Sequence, residues 1–148
     1  MLIRQATVMD IPVCCELLDA LRLQSVWGAF PVSPSPSHAI QTLLGILHNT
    51  RECVLVAEVD GDVVGICAGQ LNDNRFLPGL TYLYEWAFYV LPHYRTMKIG
   101  YALWEAMKTW AVTMGCYAAC FGRFKARKDG QTSELLTWQV LVKEQAHA

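Results

Sequence analysis

Residues 82–103 read YLYEWAFYVLPHYRTMKIGYAL, and the parsing of this stretch decides the fold. Residues 82–90 are aromatic and β-branched, the composition of a strand. Residues 91–98 hold a proline, a histidine, an arginine and a lysine, so they read as a charged turn. From Ile99 the apolar spacing becomes helical, through Leu103, Met107, Trp110, Ala111 and Met114. A strand that runs through a basic turn into a helix aims backbone N–H groups and a positive helix end at the turn. That arrangement holds phosphate or pyrophosphate groups. An ordinary βα unit with a basic loop has the same outline.

Downstream, Gly115 is a natural residue to close that helix. Residues 116–122, CYAACFG, read as a buried strand, parallel to residues 82–90 if the connection is a crossover. Residues 123–131, RFKARKDGQ, are basic. There Arg123, Lys125, Arg127 and Lys128 read as a solvated loop or as a grip for an acidic partner, and Asp129-Gly130 marks a turn. Residues 135–143, LLTWQVLVK, close as a strand. Upstream, residues 53–71 form two strand-like runs on either side of Asp60-Gly61, a pair suited to a type I′ hairpin because both central residues need positive φ. Gly65 and Gly69 on the second run indicate a bulge or close packing. Residues 72–79 are polar, contain Pro78 and read as a loop.

At the start of the chain, residues 2–5 read as a short strand. Thr7-x-x-Asp10 reads as a helix start, with Thr7 as cap and the Asp10 carboxylate in the first turn. Val13, Leu17, Leu18 and Leu21 then make one helical face to about residue 23. Pro31, Pro34 and Pro36 fall within residues 27–38, WGAFPVSPSPSH, which neither a helix nor a central strand tolerates. This is a stiff surface connection by composition. Ser37 is a possible cap for a second helix over residues 39–48, with Ile40, Leu43, Leu44 and Leu47 as its buried face.

The 148 residues are of single-domain length. A hydrophobic content of 53% with 17% charged residues describes a chain that builds a core. The net charge of −1 argues against a broad electrostatic grip on nucleic acid. No apolar leader or membrane span is evident, so no membrane role is expected. Six cysteines without a C-x-x-C pair read as buried free thiols of a reducing, cytoplasmic compartment. The four histidines lack ligand spacing, and no metal is expected.

Val90-x-Pro92-x-x-Arg95-x-x-x-Ile99-Gly100-x-x-Leu103 resembles the acetyl-CoA-binding motif of the GNAT (GCN5-related) acyltransferases, R/Q-x-x-G-x-G/A. The opening I-R-x-A-x-x-x-D-I-P resembles their first strand and helix, and the order of elements over residues 2–122 is similar. Two positions depart from the pattern. Lys98 replaces the first motif glycine, where some phage-encoded members of the family carry a basic residue, and Thr96 stands where many members have another glycine. The resemblance implies a mixed α/β fold: antiparallel N-terminal strands, a central strand–turn–helix and one splayed parallel strand pair. It implies acetyl-CoA as co-substrate. Backbone groups near Phe88 and Val90 would meet the pantetheine arm. The turn Arg95, Thr96, Met97, Lys98, Ile99 and Gly100 would hold the pyrophosphate, with Tyr101 close by. Trp27 and Phe30 would be walls of the acceptor pocket or would simply pin a loop, and the basic cluster near Arg123 could reach the CoA 3′-phosphate.

Acetyl transfer to an amine needs a base, an oxyanion site and a proton for the leaving thiolate. Glu85 is the only acid within residues 82–90 and is the candidate base; an exposed strand glutamate is the plain alternative. Period-two alternation sets it on the face opposite Phe88 and Val90, unless a bulge intervenes. His93 is a second candidate. The tyrosine that family members carry on a late helix has no counterpart here, which leaves water, a cysteine, Tyr82, Tyr84 or Tyr94 as the acid. Two functions follow. One is an N-acetyltransferase acting by direct attack on a small-molecule or protein amine. The other is a catalytically degenerate member of the fold serving as a structural or phage virion-associated protein, self-associating or bound to an assembly partner.

Overall fold

The computed structural model describes residues 1–126 and 132–141. Six strands form one sheet in the order of the chain: β1 (Leu2–Gln5), β2 (Glu52–Val59), β3 (Asp62–Asp73), β4 (Thr81–Val90), β5 (Ala118–Ala126) and β6 (Thr132–Val140). All neighbours are antiparallel except β4 and β5. The helices are α1 (Ile11–Gln24), α2 (Pro36–Leu47) and α3 (Ile99–Thr113). This is the mixed α/β architecture expected above. None of the described helices is long and apolar enough to cross a membrane.

Each face of the sheet has its own core. Ile99, Leu103, Met107 and Ala111 of α3 pack on one face against Leu55, Cys67 and Leu83. Ile11, Cys14 and Leu17 of α1, with Leu43 and Ile46 of α2, cover the other against Val56, Ile66 and Ala87. The near-continuous apolar runs of β2 and β3 follow from this, because strands covered on both sides have no solvent face. The β2–β3 turn has the expected conformation, with Asp60 at φ 51° and Gly61 at φ 88°. Gly69 marks close packing: a Cβ there would sit 2.6 Å from the Leu83 Cδ1.

The start of α1 differs in detail from the sequence reading. A 3-10 turn at Val8–Asp10 precedes it. Thr7 takes the cap position of that turn with Asp10 in its first turn, as expected, and the Asp10 carboxylate accepts the Thr7 N–H at 2.7 Å. The Arg4 guanidinium beside it pulls the Asp10 carboxyl down to about 2. The second helix begins earlier than expected, at Pro36, with Ser35 rather than Ser37 accepting the His38 N–H. Proline fits there because the first helical turn has no use for its missing N–H. Ile40 consequently faces solvent, and Ile46 takes its place in the core.

The largest differences lie after α3. Gly115 closes the helix at φ 86°, as expected. Residues 123–126, read as loop, extend β5 instead, and β6 begins at Thr132. Arg123 pairs with Leu135 and Ala126 with Thr132, so antiparallel strands stand where a loop was expected. Asp129-Gly130, Arg127, Lys128 and the 142–143 end of the last expected strand lie outside the described residues.

Candidate active site at the fork of the sheet

β4 and β5 run side by side for three residues only: Tyr82 with Ala118, Leu83 with Ala119 and Tyr84 with Cys120. Beyond them the strands part, although β4 continues to Val90 and β5 to Ala126. One edge of β4 is thereby left without a ladder partner. The Leu91 N–H donates to the Val64 carbonyl on β3 at 2.9 Å. Alternation therefore turns the backbone groups of Phe88 and Val90 the other way, into the fork. Arg95 Nε donates to the Val90 carbonyl at 2.8 Å, which leaves the Val90 N–H and both Phe88 groups facing the opening.

Glu85 stands where the strands part. Ala68 pairs with Ala87 and Gly69 with Glu85, so Trp86 is an extra residue, a bulge in β4. Leu83 before the bulge and Val90 after it belong to the α3-side core, while Ala87 and Tyr89 belong to the other. The bulge thus reverses the alternation and brings Glu85 to the face of Phe88 and Val90. Its side chain is buried, at 7% exposure. It accepts the Gly122 N–H from β5 at 3.4 Å. Burial pushes its pKa up to about 7; the Gly122 hydrogen bond opposes this and the Glu134 charge adds to it. A carboxylate held near neutrality is suited to take a proton and release it again. The fork also brings Tyr84 close, and burial keeps that phenol protonated.

At the other end of β4 the chain makes a 3-10 turn, Pro92–Tyr94, and enters α3. The Arg95 side chain is occupied: it holds the Val90 carbonyl, donates to Gln24 Oε1 at 3.1 Å and lies over the Tyr89 ring. The N–H groups of Arg95 and Met97 donate inward to Pro92 and Tyr94. Those of Thr96, Lys98, Ile99, Gly100 and Tyr101 have no partner among the described residues. The last three belong to the first turn of α3, where N–H groups and the helix dipole favour an anion. Phe88 and Gly100 touch, since a Cβ on Gly100 would meet the Phe88 ring at 3.3 Å.

Lys98 caps α3 with φ 58°, a left-handed conformation that costs a residue with a Cβ about 1 kcal/mol. The backbone requirement for glycine therefore persists here while the residue has changed. Lys98→Gly should raise the thermal midpoint by about 2–4 °C in a calorimetric scan. An unchanged midpoint would mean that the lysine side chain recovers the strain through contacts of its own.

His93 is exposed in the 3-10 turn, far along β4 from Glu85. Tyr94 lines a separate cleft of about 530 Å³ with Asp10, Glu16 and Asp62. Trp27 and Phe30 stack at 5.8 Å in the segment after α1, and that segment approaches β6. Arg123 lies over Phe121 and is exposed. The six cysteines are free. Burial raises the pKa of Cys14 and Cys53 to about 12 and makes those thiols poor nucleophiles. No cluster of metal-ligating side chains occurs among the described residues.

Sequence reasoning missed Gly122 and Glu134. The Glu134 carboxylate folds across β5 and lies against Gly122, where a Cβ would collide with it. A glycine inside a strand signals such an approach, but the apolar run CYAACFG hid it.

Residues 19–128 match the family model described as acetyltransferase (GNAT) family. No curated protein matches the chain in sequence. Many solved structures share the fold. A transcriptional regulator from Bacillus halodurans superposes with a TM-score of 0.70 at 20% identity, covering 86% of this chain and 85% of that one. Glucosamine-6-phosphate N-acetyltransferase from Arabidopsis thaliana gives 0.66 at 16% identity, with 81% and 80% covered. An aminoglycoside 6'-N-acetyltransferase from Acinetobacter haemolyticus gives 0.63 at 18% identity, with 78% and 74% covered.

Proposed function

The chain belongs to the acetyltransferase (GNAT) family, and on that premise we propose that it transfers the acetyl group of acetyl-CoA to an amine by direct attack, with Glu85 as general base. One observation carries the reading. The fork between β4 and β5 has a buried carboxylate at its apex and, at its mouth, a row of N–H groups with no partner among the described residues. A thioester threaded between them spans both.

Acetyl-CoA supplies an activated acyl carbon. The chain supplies position and proton transfer. The N–H groups of Ile99, Gly100 and Tyr101, with those of Thr96 and Lys98, hold the pyrophosphate, and the Lys98 ammonium adds positive charge. Phe88 and Val90 offer backbone groups to the pantetheine amides. Glu85 takes the proton that the amine nitrogen loses as the C–N bond forms. When the C–S bond breaks, the sulfur leaves as thiolate or takes a proton. Tyr84 is the tyrosine nearest the apex and is the donor we assign to that step.

Thermal unfolding tests the reading, with acetyl-CoA against dephospho-CoA and adenosine. Acetyl-CoA at about 100 times its Kd should stabilise the protein by about 2.7 kcal/mol, a shift of roughly 5–10 °C. Dephospho-CoA and adenosine should shift it less. No shift at millimolar acetyl-CoA would remove the cofactor assignment and leave the fold as an assembly module.

A further inference from the structure

Gly122 is shared by two carboxylates. Its N–H holds Glu85 in the fork, and its Cα lies under the carboxylate of Glu134. The two acids come from different strands, and only one is buried. Phe121 packs on Trp104 of α3, so the side-chain direction at Gly122 is the opposite face, that of α1. Glu134, Leu136 and Trp138 alternate onto that face, where the Trp138 ring meets Tyr82 at 5.0 Å. The 3-10 turn Val26–Ala29, which carries Trp27, approaches β6 from the same side. Trp27 and Trp138 keep 61% and 58% of their surface exposed, so the flank of the fork is aromatic and open. An anion beside exposed aromatic rings and near a base is matched by a cation on an apolar body.

We propose that Glu134 binds the acceptor as its ammonium ion, in the groove between Trp27 and Trp138, so that the enzyme selects cationic primary amines with an aromatic or apolar body over neutral ones. The inference rests on Glu85 being the base of an acetyl-transfer site. Glu134 is a positioning residue: it holds the R–NH3+ group over Gly122. One N–H proton passes from that group to the Glu85 carboxylate. The freed lone pair attacks the thioester carbon to form the C–N bond, the C–S bond breaks, the second proton lost from nitrogen passes to the departing sulfur by way of Tyr84, and CoA leaves as the thiol. The groups near Glu85 are Tyr84 on β4, Cys67 on β3, Cys120 on β5 and Glu134. Of these, Glu134 is the exposed carboxylate. Its charge raises the proton affinity of Glu85 and so helps the base it feeds.

The test uses the full chain with acetyl-CoA and two probes of similar shape: benzylamine, an ammonium ion at neutral pH, and aniline, which is neutral. Wild type should prefer benzylamine in kcat/KM. Glu134→Gln should reduce that preference about tenfold or more, the weight of a hydrogen bond to a charged group, through KM for benzylamine. The acid limb of its pH profile should move to lower pH, and its acetyl-CoA affinity should stay at the wild-type value. Gly122→Ala, whose Cβ displaces the same carboxylate, should repeat the loss of preference. A Glu134→Gln variant with unchanged preference and unchanged acid limb overturns the role of Glu134 alone. A wild type that binds acetyl-CoA but fails to prefer benzylamine, or acetylates neither probe, overturns the acceptor class. A wild type that does not bind acetyl-CoA overturns the acetyl-transfer reading beneath it.

Discussion

Glu85→Gln should lower kcat by about 10²–10³-fold, the usual contribution of a positioned base. Acetyl-CoA should bind as before, because the N–H row at the start of α3 is at the other end of β4. The pH profile separates this role from a structural one. With a base whose pKa is about 7, kcat/KM should fall as the pH drops below neutrality, and the variant should lack that limb. Stability carries the same signature with a definite sign. Glu85 keeps its proton in the folded chain up to about pH 7, whereas it ionises from about 4.5 when unfolded. Between these values the folded state binds the extra proton, so stability drains as pH rises through the window and is present in full below it. The expected loss is about 3 kcal/mol across that window. The variant should not lose it, and above neutrality should be the more stable protein in denaturant titrations. A variant with wild-type turnover would remove Glu85 as base and redirect attention to His93.

Gly100→Leu should weaken acetyl-CoA binding about a hundredfold while leaving a folded protein. The Cβ alone would press on the Phe88 ring at 3.3 Å, and the remaining leucine carbons must go into the mouth of the fork. The ring is partly exposed and can move aside, so the fold should tolerate the change. Blocking two charge-assisted hydrogen bonds at about 1.5 kcal/mol each costs affinity about a hundredfold. Isothermal titration would read the loss, and circular dichroism would verify the fold. Binding that survives undiminished would place the pyrophosphate elsewhere.

The strand–turn–helix and the hairpin were legible because each carries its signature within a few residues: aromatic β formers, then helical spacing; Asp-Gly between apolar runs. The bulge at Trp86 was not legible. β4 is apolar or aromatic at nearly every position, so its sequence has no alternation for an extra residue to break. The length of β5 was hidden for the opposite reason. Residues 123–126 do alternate, basic then apolar, but four residues are too few to stand out from the basic run that continues to Lys128, and pairing with β6 makes them a strand. Ser35 and Ser37 both suit a helix cap, and the choice falls to Pro36, which takes the first helical position between them. Glu85 could be singled out as the lone acid of its strand, but its burial and its Gly122 partner come from contacts 37 residues apart. Glu134 carries no local signal at all; its place depends on the register of the last hairpin.

The three-rung junction of β4 and β5 also bears on how the molecule opens. β3 and β4 are paired from Thr81 to Val90, whereas among the described residues the β5–β6 arm shares a ladder with the rest of the sheet only at Tyr82, Leu83 and Tyr84. Amide protons of the arm near the fork should therefore exchange with solvent sooner than those of β2 and β3, as the unit whose detachment breaks the fewest bonds. On the proposed function, a pantetheine chain lying in the fork would stand in for the missing rungs. The co-substrate would then be mortar as well as reagent for this sheet: the acyl donor would fasten the arm, and the departure of CoA would loosen it once per turnover.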